Sequence, residues 1–591
     1  MKIIPDLLFS KNLDLEHFKE QFSELQIESE EDKLEEYNPF DSEDFQSYIP
    51  IFTTLFPKNT GENTTLNQKY QILDLHHVTD RKGIVMEKPI FIKYAPLVDP
   101  IHYLIGKYKD DFTRQKTRIP INIDDIHCPS KVLSANNSSY IDGFFNYLCS
   151  QLLNEHGFIH GVDFYGTYVC TQKKFKLNIA DDFEYLQESS HFMKSFKLLY
   201  NINHETLDHI SSSPGQATFS KKDRLDLTGD QVVSLEVIDD QEDDCWEKVN
   251  MEDDSMDMEV VFQDSKKETD NSDSEDSTNN SVISESSVDD NSEKGSEGGD
   301  WSEEEEEEDE DDNETSTEDD SEIGTSDDSN ESEKDAINAY IYNFPVQLIC
   351  LEKCDGTLDD LLDKRLIKEK EISSAFVQII FTLLTYQKVF DFTHNDLHTN
   401  NILYSNTTIK SIKYKYKNKT YVVPTYGKIY KIIDFGRSIY KFGNNLYCSD
   451  SFSKGNDAHS QYNCEPYFNP KKPVILPNKS FDLCRLGCSL HDFFFEEEMP
   501  SKKGNSEIEN AVLRWCTDDQ GKNILYKSSG GERYPNFKLY IMIARLVHKH
   551  TPEAQLEYHL CKQFLCPEKK TKYLKSCVFI NIDMLPVYYT K

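Results

Sequence analysis

The chain has 591 residues, of which 64 are basic and 106 acidic, for a formal net charge of −42. The stretch Glu236–Asp335 holds 44 of the acidic residues and 5 of the basic ones, so the acidity belongs to one segment and the rest is close to neutral. That balance offers no basic face for nucleic acid, no apolar run approaches the ~20 residues of a membrane helix, and the 14 cysteines form no Cys-x-x-Cys pair, so no nucleic acid, membrane, zinc site or disulfide framework is expected.

Residues 1–45 are polar and acidic and read as an N-terminal extension, with a short amphipathic piece at Leu13–Leu25. Pro5 and Asp6 break the start too early for a secretory signal, which points to an intracellular, cytoplasmic protein. From Lys69 to Pro96 the pattern turns strand-like, ending in Ile90-Phe91-Ile92-Lys93-Tyr94-Ala95. Over Ser139–Leu153 the residues Ile141, Phe144, Phe145, Leu148 and Leu152 recur at helical spacing, with Ser138 or Ser139 as cap. Gly157–Val169 reads as the next strand.

From about Ser211 the sequence is Ser, Asp, Glu, Asn and Gly, with too little apolar surface to offset the entropy of ordering. We assign 211–343 as a disordered acidic insertion. A solvating spacer is the favoured role, and a basic partner protein the alternative. Phe344–Leu351 is a buried strand leading into Glu352-Lys353-Cys354. Thr357-x-x-Asp360 forms a capping box for a short helix, and Phe376, Ile379, Ile380, Leu383, Leu384 and Val389 mark a long amphipathic one. Lys413–Val423 alternates around a turn and reads as a hairpin whose exposed edge lysines protect. Phe481–Gly487 opens a further apolar helix, and more helical sequence runs to Phe564. Residues 565–591 are left unplaced.

The chemistry concentrates in His394-Asn395-Asp396-Leu397-His398-Thr399-Asn400-Asn401 and Asp434-Phe435-Gly436. Phosphoryl transfer asks a protein for positioning and for cations against developing negative charge. Asp396 can orient and accept a proton from an attacking hydroxyl. Asn401 and Asp434 offer the oxygen ligands that suit Mg²⁺. Lys93, on an apolar strand, needs a partner if it faces inward. Asp142 in the first helical turn is preferred, with Glu155 near the far end as the alternative.

The spacing His-x-Asp-x-x-x-x-Asn followed by Ile402-Leu403, together with Asp434-Phe435-Gly436 and Asp482-x-x-x-x-Gly487, resembles the protein-kinase superfamily. The wider set (Phe91–Pro96, Asp142–Phe145, Leu351–Leu362, His394–Leu403, Pro424–Gly427 and Asp434–Ser438) is similar to serine/threonine kinases encoded by giant DNA viruses of the mimivirus kind. The resemblance spans about Lys69–Phe564 without the acidic insertion. It implies an α+β, bilobal kinase-like fold. Residues 46–210 and the strand and hinge 344–354 would form a β-rich N-lobe, and 355–564 a helical C-lobe. It implies ATP and Mg²⁺ as cofactors and a protein substrate. Lys93, Asp396 and Asn401 would be catalytic. Lys93, Asp142, Glu352, Cys354, Asn401 and Asp434 would hold the nucleotide, with Asn401 and Asp434 on the metal. Asp482 would brace the catalytic-loop backbone.

Three departures qualify this expectation. No Gly-x-Gly-x-x-Gly precedes Lys93; Gly61 and Gly83 stand alone. Asn395 replaces the arginine that, in the family, pairs with a phosphorylated loop, so activity without such phosphorylation is expected. His398 stands where serine/threonine kinases carry lysine, as in kinases of small molecules. A catalytically weak scaffold and a choline- or aminoglycoside-type kinase are the competing functions.

Overall fold

The computed structural model describes residues 7–9, 19–20, 22, 37–56, 64–108, 118–120, 127–180, 182–202, 337–495, 500, 505–566 and 577–590. Of the acidic insertion expected over 211–343, residues 211–336 lie outside the described residues, as does most of the amphipathic piece at Leu13–Leu25. The fold is a mixed α+β arrangement rich in strands.

In chain order, β1 (Ser42–Gln46) is an edge strand, so the boundary expected at residue 45 falls inside an element of the main sheet. Three short strands follow, β2 (Tyr70–Ile72), β3 (His77–Asp80) and β4 (Val85–Glu87), paired antiparallel as a small sheet. Next come β5 (Ile90–Pro96) and the helix α1 (Ser138–His156). Asn137, not Ser138 or Ser139, caps α1: its side chain accepts from Ser139 N at 3.0 Å. The helix stops at Gly157, whose φ of 67° supplies the left-handed turn that glycine adopts without a Cβ clash.

The strand expected over Gly157–Val169 is β6 (Phe164–Asn178), which starts later and runs further. After β7 (Tyr200–Ile202) the chain is next described at β8 (Asn338–Glu352), which begins at Asn338 and not at Phe344. The five strands form one antiparallel sheet in the order β1-β6-β8-β5, with β7 beside β8. Covered on both faces, β8 reads as an almost continuous apolar run.

Thr357 Oγ1 accepts from Asp360 N at 2.9 Å and caps α2 (Leu358–Asp363) as the sequence indicated. The long helix α3 (Glu369–Phe390) ends on Asp391 at φ 51°. It is long and apolar enough to cross a membrane, yet 94 % of its most apolar window is buried in the fold. It is therefore the core helix of this domain. Beyond it lie β9 (Ile402–Asn406), the hairpin β10 (Ser411–Tyr416) and β11 (Lys419–Pro424), and β12 (Lys428–Ile432), which pairs β9. A second hairpin, β13 (Ile439–Phe442) with β14 (Asn445–Cys448), precedes the helices α4 (Phe481–Phe494), α5 (Glu507–Trp515) and α6 (Lys538–Leu546).

The unplaced C-terminal segment supplies β15 (Cys577–Asn581), which lies parallel to β10. The β10 edge is thus covered by backbone, a correction to the exposed edge expected there. Lys417 and Lys419 of the hairpin pair with Glu553 and Glu557.

What places the loops that carry His394–Asn401 and Asp434–Gly436 is an aromatic cluster around Phe145 of α1. Its ring meets Phe392 at 4.5 Å, Phe435 at 4.6 Å and Tyr440 at 4.7 Å between centroids. One buried side chain therefore fixes α1 against both the loop before His394 and the residue after Asp434. Each such aromatic contact adds about 0.5–1.5 kcal/mol beyond area burial.

Candidate active site

Lys93 points inward from β5 and donates to Asp142 Oδ2 at 2.7 Å and Asp434 Oδ1 at 2.8 Å. Glu155, the alternative partner, lies on the exposed side of α1. Asp142 is buried, and its other oxygen accepts from Phe435 N at 2.9 Å and Asn146 Nδ2 at 2.8 Å. Burial alone would lower the Lys93 ammonium; the two carboxylates outweigh it and raise the group above its ordinary value. Burial raises the Asp142 carboxyl. Burial would raise Asp434 too, but Lys93 holds it well below the usual carboxylate range. With 46 % of its side chain exposed, Asp434 has room for a further ligand.

The loop from His394 is held from below by α4. Asp482, in the first turn of that helix, accepts from His394 N at 3.0 Å through both oxygens and from Asn395 N at 3.0 Å. The bracing expected of Asp482 is therefore present. His394 Nε2 donates to Ile433 O at 2.9 Å, and its Nδ1 faces Asp396 N at 3.3 Å. Asn395 takes φ 68°, a left-handed conformation that Asn adopts at less cost than arginine would. Its amide donates to Arg437 O at 2.9 Å and accepts from the Tyr462 hydroxyl at 2.6 Å.

Asn401 Nδ2 donates to Asp396 O at 2.9 Å and meets His398 Nε2 at 3.0 Å. Both partners face the amide nitrogen, which leaves Oδ1 as the acceptor end of the amide and makes His398 Nε2 an acceptor. The His398 proton then sits on Nδ1, which is buried with no partner among the described residues. Burial pushes this imidazole down to about 4, so it is neutral at physiological pH.

The Asp396 carboxylate is more heavily engaged than the sequence suggested. Oδ1 accepts from the Tyr540 hydroxyl at 2.8 Å, and Oδ2 faces Arg437 Nη1 at 3.3 Å. Arg485 Nε lies 3.9 Å away and donates to the Tyr540 oxygen at 2.8 Å. Arg437 also binds Asp457 at 2.6 Å. Burial would raise Asp396, but Arg437 and Arg485 hold it below the usual range. Sequence reasoning missed Arg437, Arg485 and Tyr540. Arg485 had a signal, since it follows Asp482 by one helical turn; Tyr540, from the distant α6, had none.

The Glu352 carboxylate is taken by Lys431, whose ammonium also donates to Gly161 O at 3.0 Å. A cavity of about 430 Å³ opens there, lined by Lys69, Tyr70, Lys88, Asp163, Glu352 and Lys431, and none of Lys93, Asp142, Asp396, Asn401 or Asp434 reaches it. Cys354 is half-buried, and burial raises its thiol.

Among the described residues no three His, Cys, Asp or Glu side chains gather as a self-sufficient metal cage. An exposed carboxylate and a tethered amide oxygen are the donor set that Mg²⁺ accepts when phosphate and water complete its shell. Asn401 and Asp434 fit that role. No protein-family model and no curated protein matches this chain.

Proposed function

We propose that this chain is an ATP-dependent protein kinase that transfers the γ-phosphate to serine or threonine hydroxyls, built as a bilobal kinase fold. In this reading the five-stranded sheet with α1 is the smaller lobe, Glu352–Cys354 the hinge, and the region from α2 onward the larger lobe. One observation carries it: the Lys93 ammonium joins Asp142 of α1 to Asp434, two residues distant in sequence, which supports a phosphate-binding lysine paired with a helix carboxylate beside a metal-binding Asp. Asp396 and Asn401 stand on a loop braced by Asp482.

Lys93 would contact the α- and β-phosphates. Asn401 Oδ1 and Asp434 would hold Mg²⁺, which when bound offsets the charge developing on the phosphates. Asp396, ionised and fixed by Arg437 and Tyr540, would orient the acceptor hydroxyl and receive its proton. Asp450 supports activity without loop phosphorylation: it accepts from Ser138 N at 3.0 Å and from Lys131 at 3.0 Å, so a carboxylate already secures the start of α1.

The test is phosphate incorporation from Mg·ATP into peptide libraries by the full chain and by Asp396→Asn and Asp434→Asn. Each variant should lose about 10²–10⁴-fold in turnover while keeping its melting temperature. Unchanged incorporation by Asp434→Asn defeats the proposal. No thermal shift with millimolar Mg·ATP favours a scaffold. Transfer to choline or an aminoglycoside, with peptides untouched, favours a small-molecule kinase, the reading that a neutral His398 supports.

A further inference from the structure

The segment from Cys577 to Thr590 is tied down at every few residues. β15 extends the β10–β11 hairpin, in register from Ser411 opposite Cys577 to Lys415 opposite Asn581. Ile582 O accepts from the Lys388 ammonium. The Asp583 carboxylate takes Lys417 N at 2.8 Å and Asn418 N at 3.3 Å, two amides of a left-handed turn.

At its end the strap delivers Tyr588, which is 9 % exposed. Tyr588 N donates to Val389 O at 2.9 Å, satisfying a carbonyl in the last turn of α3. Tyr588 O accepts from Gly443 N at 2.6 Å, at the turn between β13 and β14. The ring stacks on Phe390 and Phe442, each at 6.0 Å between centroids. The hydroxyl lies 2.8 Å from His156 Nε2, on the last residue of α1. Phe442 in turn meets Phe144, two residues from Asp142, edge to face at 5.9 Å.

These three contacts fall on three different elements: α1, which carries Asp142; α3, whose end leads into the Asp396 loop; and the hairpin that follows Asp434. We propose that Tyr588 is a positioning residue of the site, a C-terminal anchor that sets α1 against the other two elements and so keeps Lys93 and Asp142 paired. It touches no reacting atom. His156 stands roughly 21 Å along the helix axis from Asp142, so the anchor acts through the rigidity of α1. The inference rests on the function proposed above for its consequence, but not for its geometry.

Hydrogen exchange on the full-length, ligand-free chain tests the geometry. In Tyr588→Ala, amides 139–146 should exchange at least about tenfold faster while α4 keeps its protection. In Tyr588→Phe, which keeps the stacking and loses the hydroxyl, the effect should be confined to the last turn of α1. Should Tyr588→Ala unfold, Tyr588→Phe decides: selective loss at the end of α1 supports the anchor, and no change overturns it. Unchanged α1 exchange in Tyr588→Ala overturns it as well. For the consequence, the Mg·ATP KM should rise about fivefold in Tyr588→Ala and rise no further than in Asp142→Asn when the two are combined. A lower active fraction with unchanged KM, or additive effects, would make Tyr588 a general stability residue and overturn the positioning role. A wild-type chain that binds no nucleotide refutes the kinase reading, while the exchange result still decides the anchor.

Discussion

Arg437 Nη1 lies 3.3 Å from Asp396 Oδ2, so a residue directly after the Asp434-Phe435-Gly436 motif supplies the cation beside the Asp396 carboxylate. Asn395 instead spends its side chain on the Arg437 carbonyl and the Tyr462 hydroxyl. The guanidinium beside Asp396 therefore comes from the facing segment and not from the loop of Asp396 itself. Removing it should raise the Asp396 carboxyl toward its ordinary value. Arg437→Ala is then expected to shift the acid limb of the kcat–pH profile upward and to lower kcat by about tenfold or more through lost orientation. A pH profile of the proposed phosphate transfer checks both.

Tyr540→Phe removes two hydrogen bonds, the one Tyr540 donates to Asp396 Oδ1 and the one it accepts from Arg485 Nε, and leaves the ring that the Arg485 guanidinium faces at 5.1 Å. A single hydrogen bond to a charged group contributes about 1.5–3 kcal/mol. Turnover should fall, and the melting temperature with it, because the Arg485 guanidinium that loses its hydroxyl acceptor is buried. Tyr540→Ala should destabilise further, because the ring packs on Phe481 and Phe537.

Asp482→Ala would strand the buried amides of His394 and Asn395. Each unpaired donor costs about 1–3 kcal/mol, so denaturant titration should show a loss of several kcal/mol, and less for Asp482→Asn. A stability change within error would contradict the bracing role.

His160 is buried, with Nδ1 donating to Tyr430 O at 2.7 Å and Nε2 accepting from the Tyr414 hydroxyl at 2.6 Å. Burial pushes it down to about 4. The unfolded chain binds its proton near pH ~6.5, so stability from this group is full above that value and lost as pH falls toward the folded pKa. The loss amounts to about 3 kcal/mol at most. Melting temperature followed between pH 7 and 4 should fall, and His160→Gln should flatten that slope.

Much of the candidate site was proposed from the sequence because its parts are local. Asp396 and Asn401 lie on one short loop, and Asp434 follows a strand, so their spacing, their chemistry and the kinase resemblance suggested them. Asp142 required knowing which helical turn faces Lys93, and periodicity left Glu155 open. The pairing of Glu352 with Lys431 and the position of Tyr540 depend on elements that meet only in the folded chain. The edge strand β1 was missed because Ser42-Glu43-Asp44-Phe45-Gln46 is mostly polar, as suits a strand with one open edge. The final segment was unplaced because a parallel pairing across more than 160 residues leaves no mark in local pattern.

At the far end of the main sheet, Ile202 stands opposite Ala339 in antiparallel register. The chain departs and returns at adjacent positions, so whatever lies between them closes a ring on a fixed base. Because their own pairing holds Ile202 and Ala339 side by side, this junction is where the polypeptide could be opened to make new termini without parting either strand from the sheet.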